Sequence, residues 1–242
     1  MLQRDRAIVS GALIVVTLLA WAYVARLATT ISMPDMGPML AMRAPPWTAG
    51  RFLLTLVMWA VMMIGMMTPS AAAMILLYAR VGRHALAQGR PLAATGWFAA
   101  GYLLAWSGFA LFATIAQWAL ERAALLSPMM ASASPLLGGA LLVAAGVYQW
   151  TPLKYACLSQ CQSPMMFIQR HGGFRPEWSR ALLLGLRHGA YCIGCCWALM
   201  LLLFVGGVMN LAWIGGLALL VLAEKLAPAR LPVTLTAAGV LI

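Results

Sequence analysis

The chain alternates between long apolar runs and short connections that carry most of its charge. A helix needs about 20 mostly apolar residues to cross a bilayer. The runs over 7–25, 52–78, 93–118, 135–150, 181–209 and 211–226 predict about six transmembrane helices, the last of them short. The run 231–242 is apolar but too short to cross, so it reads as a truncated seventh helix or a terminal stub. Arg4 and Arg6 precede the first run as they would a signal peptide. That run is long for a signal core and no A-x-A site follows it, so an uncleaved helix is expected. No internal repeat and no low-complexity linker divides the sequence. The expected fold is an all-α, polytopic helical membrane bundle forming one integral membrane domain over 1–242.

Composition agrees with this pattern. Apolar residues make up 64% of the 242 positions and charged residues 9%, against roughly 45–50% and 25% in soluble domains. So few charges cannot cover a water-facing surface, and so many apolar residues exclude disorder. The net charge of +11 does not point to nucleic acid, because the basic residues are scattered among connections rather than gathered on one element. They follow instead the bias of membrane proteins toward Lys and Arg in cytoplasmic loops. Arg4 and Arg6, then Arg80, Arg83 and Arg90, then Lys154, Arg170, Arg175 and Arg180, then Lys225 and Arg230 fall on one side. The other side has Arg122, offset by Glu121, with Arg26, Arg43 and Arg51 as a smaller dissent. This places the N-terminus and the Lys154–Arg180 connection in the cytoplasm and suits a bacterial inner membrane. No Walker, Rossmann or HExxH pattern occurs, and Asp5, Asp35, Glu121, Glu177 and Glu224 are too dispersed for a catalytic carboxylate pair. No catalytic residue is assigned, and the chain is not read as an enzyme.

All five cysteines fall between positions 157 and 196, as Cys157-x3-Cys161 and Cys192-Ile-Gly-Cys195-Cys196. The first pair follows Thr151-Pro152, where a helix breaks or restarts. The second group opens the fifth run from the same side, so the topology brings both groups to one membrane face. On a helix His188, Cys192, Cys195 and Cys196 share a stripe, with Met200 one turn further on. Thiolates with an imidazole and a thioether are a soft ligand set that favours Cu(I), with Zn as a second possibility. Taken singly, each cysteine is better explained as a small apolar residue packed beside Gly185, Gly189 and Gly194. The clustering is what points to metal or redox chemistry.

Seventeen methionines add to this. Met58, Met62 and Met66 repeat at i+4 in the second run, with Met63, Met67 and Met74 on an adjacent stripe, and Pro69 is expected to kink the helix just beyond. Met33, Met36, Met39 and Met42 recur every third residue in the first connection, where Pro34, Gly37 and Pro38 deny a long helix. Thioethers bind Cu(I) without deprotonation, yet methionine is also an adaptable core filler. Read as ligands, the Met loop, Met stripe and Cys cluster form a path from outside to inside. Glu224-Lys225 is expected to be an ion pair or a snorkelling anchor rather than a proton relay. Trp47, Trp97, Trp118, Trp150 and Trp178 fit an interfacial belt.

Four stretches together resemble a known bacterial family, the predicted metal-binding integral membrane proteins, also described as domain of unknown function 2182. They are Trp59-Ala-Val-Met62-Met63-Ile-Gly-Met66-Met67-Thr-Pro69-Ser70; Tyr148-Gln149-Trp150-Thr151-Pro152-Leu153-Lys154 with Cys157 and Cys161; Cys192-Ile-Gly-Cys195-Cys196-Trp197-Ala-Leu-Met200; and Gly207-Val-Met209-Asn210 through Glu224-Lys225. The resemblance implies metal binding and fixes neither metal nor activity. The reading that joins these observations is a soft-metal-binding membrane protein, with copper favoured, acting in metal transport or delivery through a Met/Cys ligand path. Its expected partners are the lipid bilayer and a metallochaperone or larger membrane complex. Two alternatives are a non-catalytic accessory subunit of a membrane complex and a thiol oxidoreductase using Cys192 and Cys195. The second is disfavoured by a reducing cytoplasm.

Overall fold

The computed structural model describes residues 2–31, 46–126 and 130–227. Met33, Met36, Met39, Met42, Ser127 and the run 231–242 lie outside the described residues. The elements are α1 (Leu2–Ile31), α2 (Ala49–Ala87), α3 (Thr95–Arg122), α4 (Pro135–Gln149), α5 (Pro152–Gln162), α6 (Pro164–Arg170), α7 (Trp178–Leu201), α8 (Leu203–Gly206) and α9 (Leu211–Leu226). The described residues form an all-α fold, with one isolated bridge between Leu126 and Ser132.

Among the described residues, four helical segments are long and apolar enough to cross a membrane: Ala7–Thr29, Ala49–Ala87, Thr95–Arg122 and Trp178–Gly206. Counting α4 and α5 as one broken span makes five. This is fewer than the six that hydropathy predicts, and two local features account for the difference. The fourth run does not cross as a straight helix. Thr151 caps a new helix by accepting from the Lys154 N–H, Pro152 occupies its first turn, and α5 leaves α4 at 65°. The sixth run corresponds to α9, started by the Asn210 cap and only 16 residues long. At 1.5 Å per residue it reaches about 24 Å, short of the roughly 30 Å hydrocarbon layer.

Close helix contact organises the bundle. α3 and α7 cross with Gly101 and Gly185 at the contact, where a Cβ on either would collide with the carbonyl oxygen of Leu182 or Phe98. α2 packs between α1 and α3 and runs through Pro69 as one 39-residue helix. α1 stays peripheral, with Ile8, Ile14, Leu18 and Leu19 exposed as lipid-facing residues would be. α4 descends antiparallel to α7. Near its start Ser132 N–H donates to Phe204 O, and near its end Tyr148 donates to the carbonyl of Gly194. Its C-terminus therefore halts level with the middle of α7, and α5 turns there to lie against α7 and α9.

Candidate metal centre

The stripe predicted on α7 is present, and all of it faces inward. His188, Cys192, Cys195, Cys196 and Met200 are all buried. Cys192 is fourteen residues from Trp178, the first residue of α7, or about 21 Å along the axis. The group thus sits in mid-helix rather than opening the span as its sequence position suggests. The broken α4–α5 unit supplies the other two cysteines at this depth. Cys161 comes within hydrogen-bond reach of both Cys192 and Cys195. Half-buried Cys157 rests on the bare backbone of Gly194, where a Cβ would come within 2.7 Å of its sulfur.

The Cys192 sulfur is the meeting point of several helices. The Lys225 ammonium on α9 donates to it at 2.9 Å and to Ser70 Oγ on α2 at 2.8 Å. The Tyr102 hydroxyl on α3 lies 3.2 Å from the same sulfur and donates to Met67 O on α2 at 3.1 Å. With Cys161 from α5, five helices converge on one layer. A buried ammonium facing sulfur makes a charge-assisted contact, stronger than a neutral one. The expectation for Glu224-Lys225 needs correction here. Lys225 does not snorkel, because α9 ends inside the bundle and leaves the side chain 8% exposed.

Glu224 does form an ion pair, but with Lys154 rather than with its neighbour. Lys154 Nζ lies 2.8 Å from both carboxylate oxygens, and Gln149 bridges the two by donating to Glu224 and accepting from Lys154. Lys154, Gln149 and Glu224 are 0%, 1% and 3% exposed, so Lys154 is part of the interior and not of a solvated connection. This triad fastens the α4–α5 break to the end of α9. Tyr102, Ser70, Lys225 and the triad are all beyond the ligand set read from sequence. Only the charges within apolar runs signalled any of them.

The donors that surround this layer are soft. Cys195 and Cys196 presently turn their thiols onto the backbone oxygen of Cys192, at 3.1 and 3.0 Å. Accordingly, no group of three or more His, Cys, Asp or Glu among the described residues stands in ligating geometry. His188 is held among the rings of Phe98, Tyr102 and Phe167, and its Nδ1 is buried with no hydrogen-bond partner among the described residues. His171 does not join the cysteines; its ring packs on Phe167 and Tyr191 and bonds Phe167 O at 2.8 Å.

Met58, Met62, Met63, Met66, Met67 and Met74 are all buried on α2. Met62 and Met66 line a small gap with Ala20, Trp21, Val24, Gly65 and Ile214. Met67 adjoins the cysteine layer through its carbonyl contact with Tyr102. Above the stripe a polar chain runs to the N-terminal end of α2. Trp59 donates to Gln117, Gln117 to Glu121, and Glu121 also accepts from Trp47 and pairs with Arg51 at 2.8 Å.

The fold and site define a helical bundle of membrane-spanning character with a buried thiol cluster at the core. Comparison with known families makes this specific: a family model described as copper chaperone, PpoB2, matches residues 56–242. The chain belongs to this PpoB2 copper chaperone family. No curated protein and no solved structure matches it.

Proposed function

We propose that the protein is an integral membrane copper chaperone that binds Cu(I) at the cysteine layer and passes it on, with the methionines of α2 as relay ligands. The observation that carries this reading is the convergence on Cys192, where Cys161, Tyr102 and Lys225 from three other helices meet at one buried sulfur and Cys195 lies one turn along the same helix. Thiolate and thioether donors select Cu(I) over hard cations, and the family's copper association favours Cu(I) over Zn. The ligand set is Cys157, Cys161, Cys192, Cys195, Cys196 and His188, with Met62, Met63, Met66 and Met67 leading to it. Met33, Met36, Met39 and Met42 act as the capture loop ahead of α2. Copper is cargo here, so the site has to release it as well as hold it. Lys225 supports that role, because its ammonium donates to the Cys192 sulfur and competes with a cation for it.

The membrane is the bacterial inner membrane, and the end of the bundle bearing Arg80, Arg83, Arg175 and Arg180 faces the cytoplasm, in line with the basic-residue bias. Copper then moves from the Met loop inward to a cytoplasmic metallochaperone or to a larger membrane complex. Anaerobic competition with a Cu(I)-specific chromophoric chelator tests the metal. Cu(I) should be withdrawn from the chelator by the wild-type protein in detergent, and excess Zn should not reverse this. Displacement of bound copper by stoichiometric Zn would overturn the assignment.

A further inference from the structure

A cavity of about 350 Å³ opens at the start of α7, away from the cysteines, and is lined by Arg175, Arg180 and Arg187. Its backbone rim is the Gly172-Gly173 turn, which needs glycine because φ is +99° and +70°. Arg175 is oriented by donating from Nε to Gly172 O at 3.0 Å. Arg180 and Arg187 stand two turns apart on one face of α7, and neither has an ion-pair or hydrogen-bond partner among the described residues. Glu177 is the one carboxylate in the lining, so three arginines against one acid leave an excess of positive charge. Glu177 also makes no side-chain cap bond to α7.

We infer that this cavity is a binding site for the phosphate headgroup of an anionic phospholipid. Three observations favour a lipid over a soluble anion. Leu183 and Leu184 line the same cavity as the arginines, which suits a ligand with a charged head and apolar chains. The rings of Trp97 and Trp178 pack at 5.1 Å in the first turns of α3 and α7, the end of α7 at which the cavity opens, and both are exposed, as interfacial anchors at headgroup level are. Arg187 lies nine residues past Trp178 along a membrane-spanning helix, about 13 Å. A cation at that depth on the outside of a span calls for an anionic partner or a path to the headgroups. Basic pockets between membrane helices are the known setting for anionic headgroups. This inference uses none of the copper ligands and stands independently of the metal assignment.

Native mass spectrometry of the full-length protein in mild detergent, titrated with phosphatidylglycerol or with phosphatidylcholine, tests it. The wild-type chain should retain phosphatidylglycerol preferentially. Arg180→Gln with Arg187→Gln should weaken that binding by roughly 25-fold, about fivefold per arginine. Glu177→Gln should strengthen it, and Arg122→Gln, at the opposite end of α3, should leave it unchanged. The arginines are exposed, so these variants should fold, and an unchanged melting temperature checks that. Equal retention of the two lipids, or full retention by the double variant, overturns the inference. Displacement of phosphatidylglycerol by millimolar inorganic phosphate would assign the cavity to a free anion and overturn the lipid.

Discussion

Lys225 and Cys192 meet in the interior at 2.9 Å, and nothing in the local sequence of either announces the other, 33 positions away. The cysteines and His188 were legible because chemistry-bearing residue types clustered at helical spacing, and burial of the whole stripe agrees with that spacing. Tyr102 was not legible, because one tyrosine in an apolar run has no pattern; only the α3–α7 crossing brings its hydroxyl to sulfur. The methionines remain the residues whose two roles most need separating. Met62 and Met66 are 1% and 3% exposed, so both packing and ligation account for their position. Met62→Leu with Met66→Leu keeps the volume and removes the sulfur, and each such swap should cost less than about 1.5 kcal/mol. The proposal expects normal melting of the double variant with reduced copper delivery in cells at equal protein level. Unchanged delivery would leave the stripe as core.

At the scale of elements, the α4–α5 break and the α3–α7 crossing position the site. Thr151-Pro152 showed the break in the sequence, but its consequence was hidden: α4 stops at mid-depth because Lys154, Gln149 and Glu224 tie the break to the end of α9. Removing one partner from a buried ion pair strands the other. Lys154→Met should therefore destabilise by about 3–5 kcal/mol, and adding Glu224→Leu should restore a substantial part of the loss. Denaturation in detergent reads both, and strict additivity of the two changes would show that the pair is not coupled. At the crossing, Gly185→Ala puts a methyl group onto Phe98 O. It should cost about 1–3 kcal/mol through overpacking. Because α7 carries the thiols, copper loading should fall with it. Gly108→Ala, with open space at its Cβ on the same helix as Gly101, is the control and should change neither.

For the whole molecule, hydropathy gave the helical class and the positions of the long spans, while overcounting the crossings. An apolar run records that a segment is buried, not whether lipid or protein buries it, so α4 and α9 read as spans although each is too short. The distribution of basic residues predicts an orientation, and that orientation would set the direction of the proposed path. Arg83 and Arg175 should be accessible from the cytoplasm and Met36 from the opposite side. Reporter fusions after these positions measure this, and Met36 in the cytoplasm would reverse capture and release.

In the proposed site, thiols from α5 and α7 share one copper ion. The most direct measurement is elemental analysis of the full-length protein purified anaerobically after growth with copper, beside Cys161→Ser and Cys192→Ser. Stoichiometric copper is expected in the wild type and its loss from either variant; metal-free Cys161→Ser should melt as the metal-free wild type does, while Cys192→Ser should melt lower, because it also removes the sulfur that Lys225 bonds. Wild-type copper content in either serine variant would contradict a site shared between the two helices.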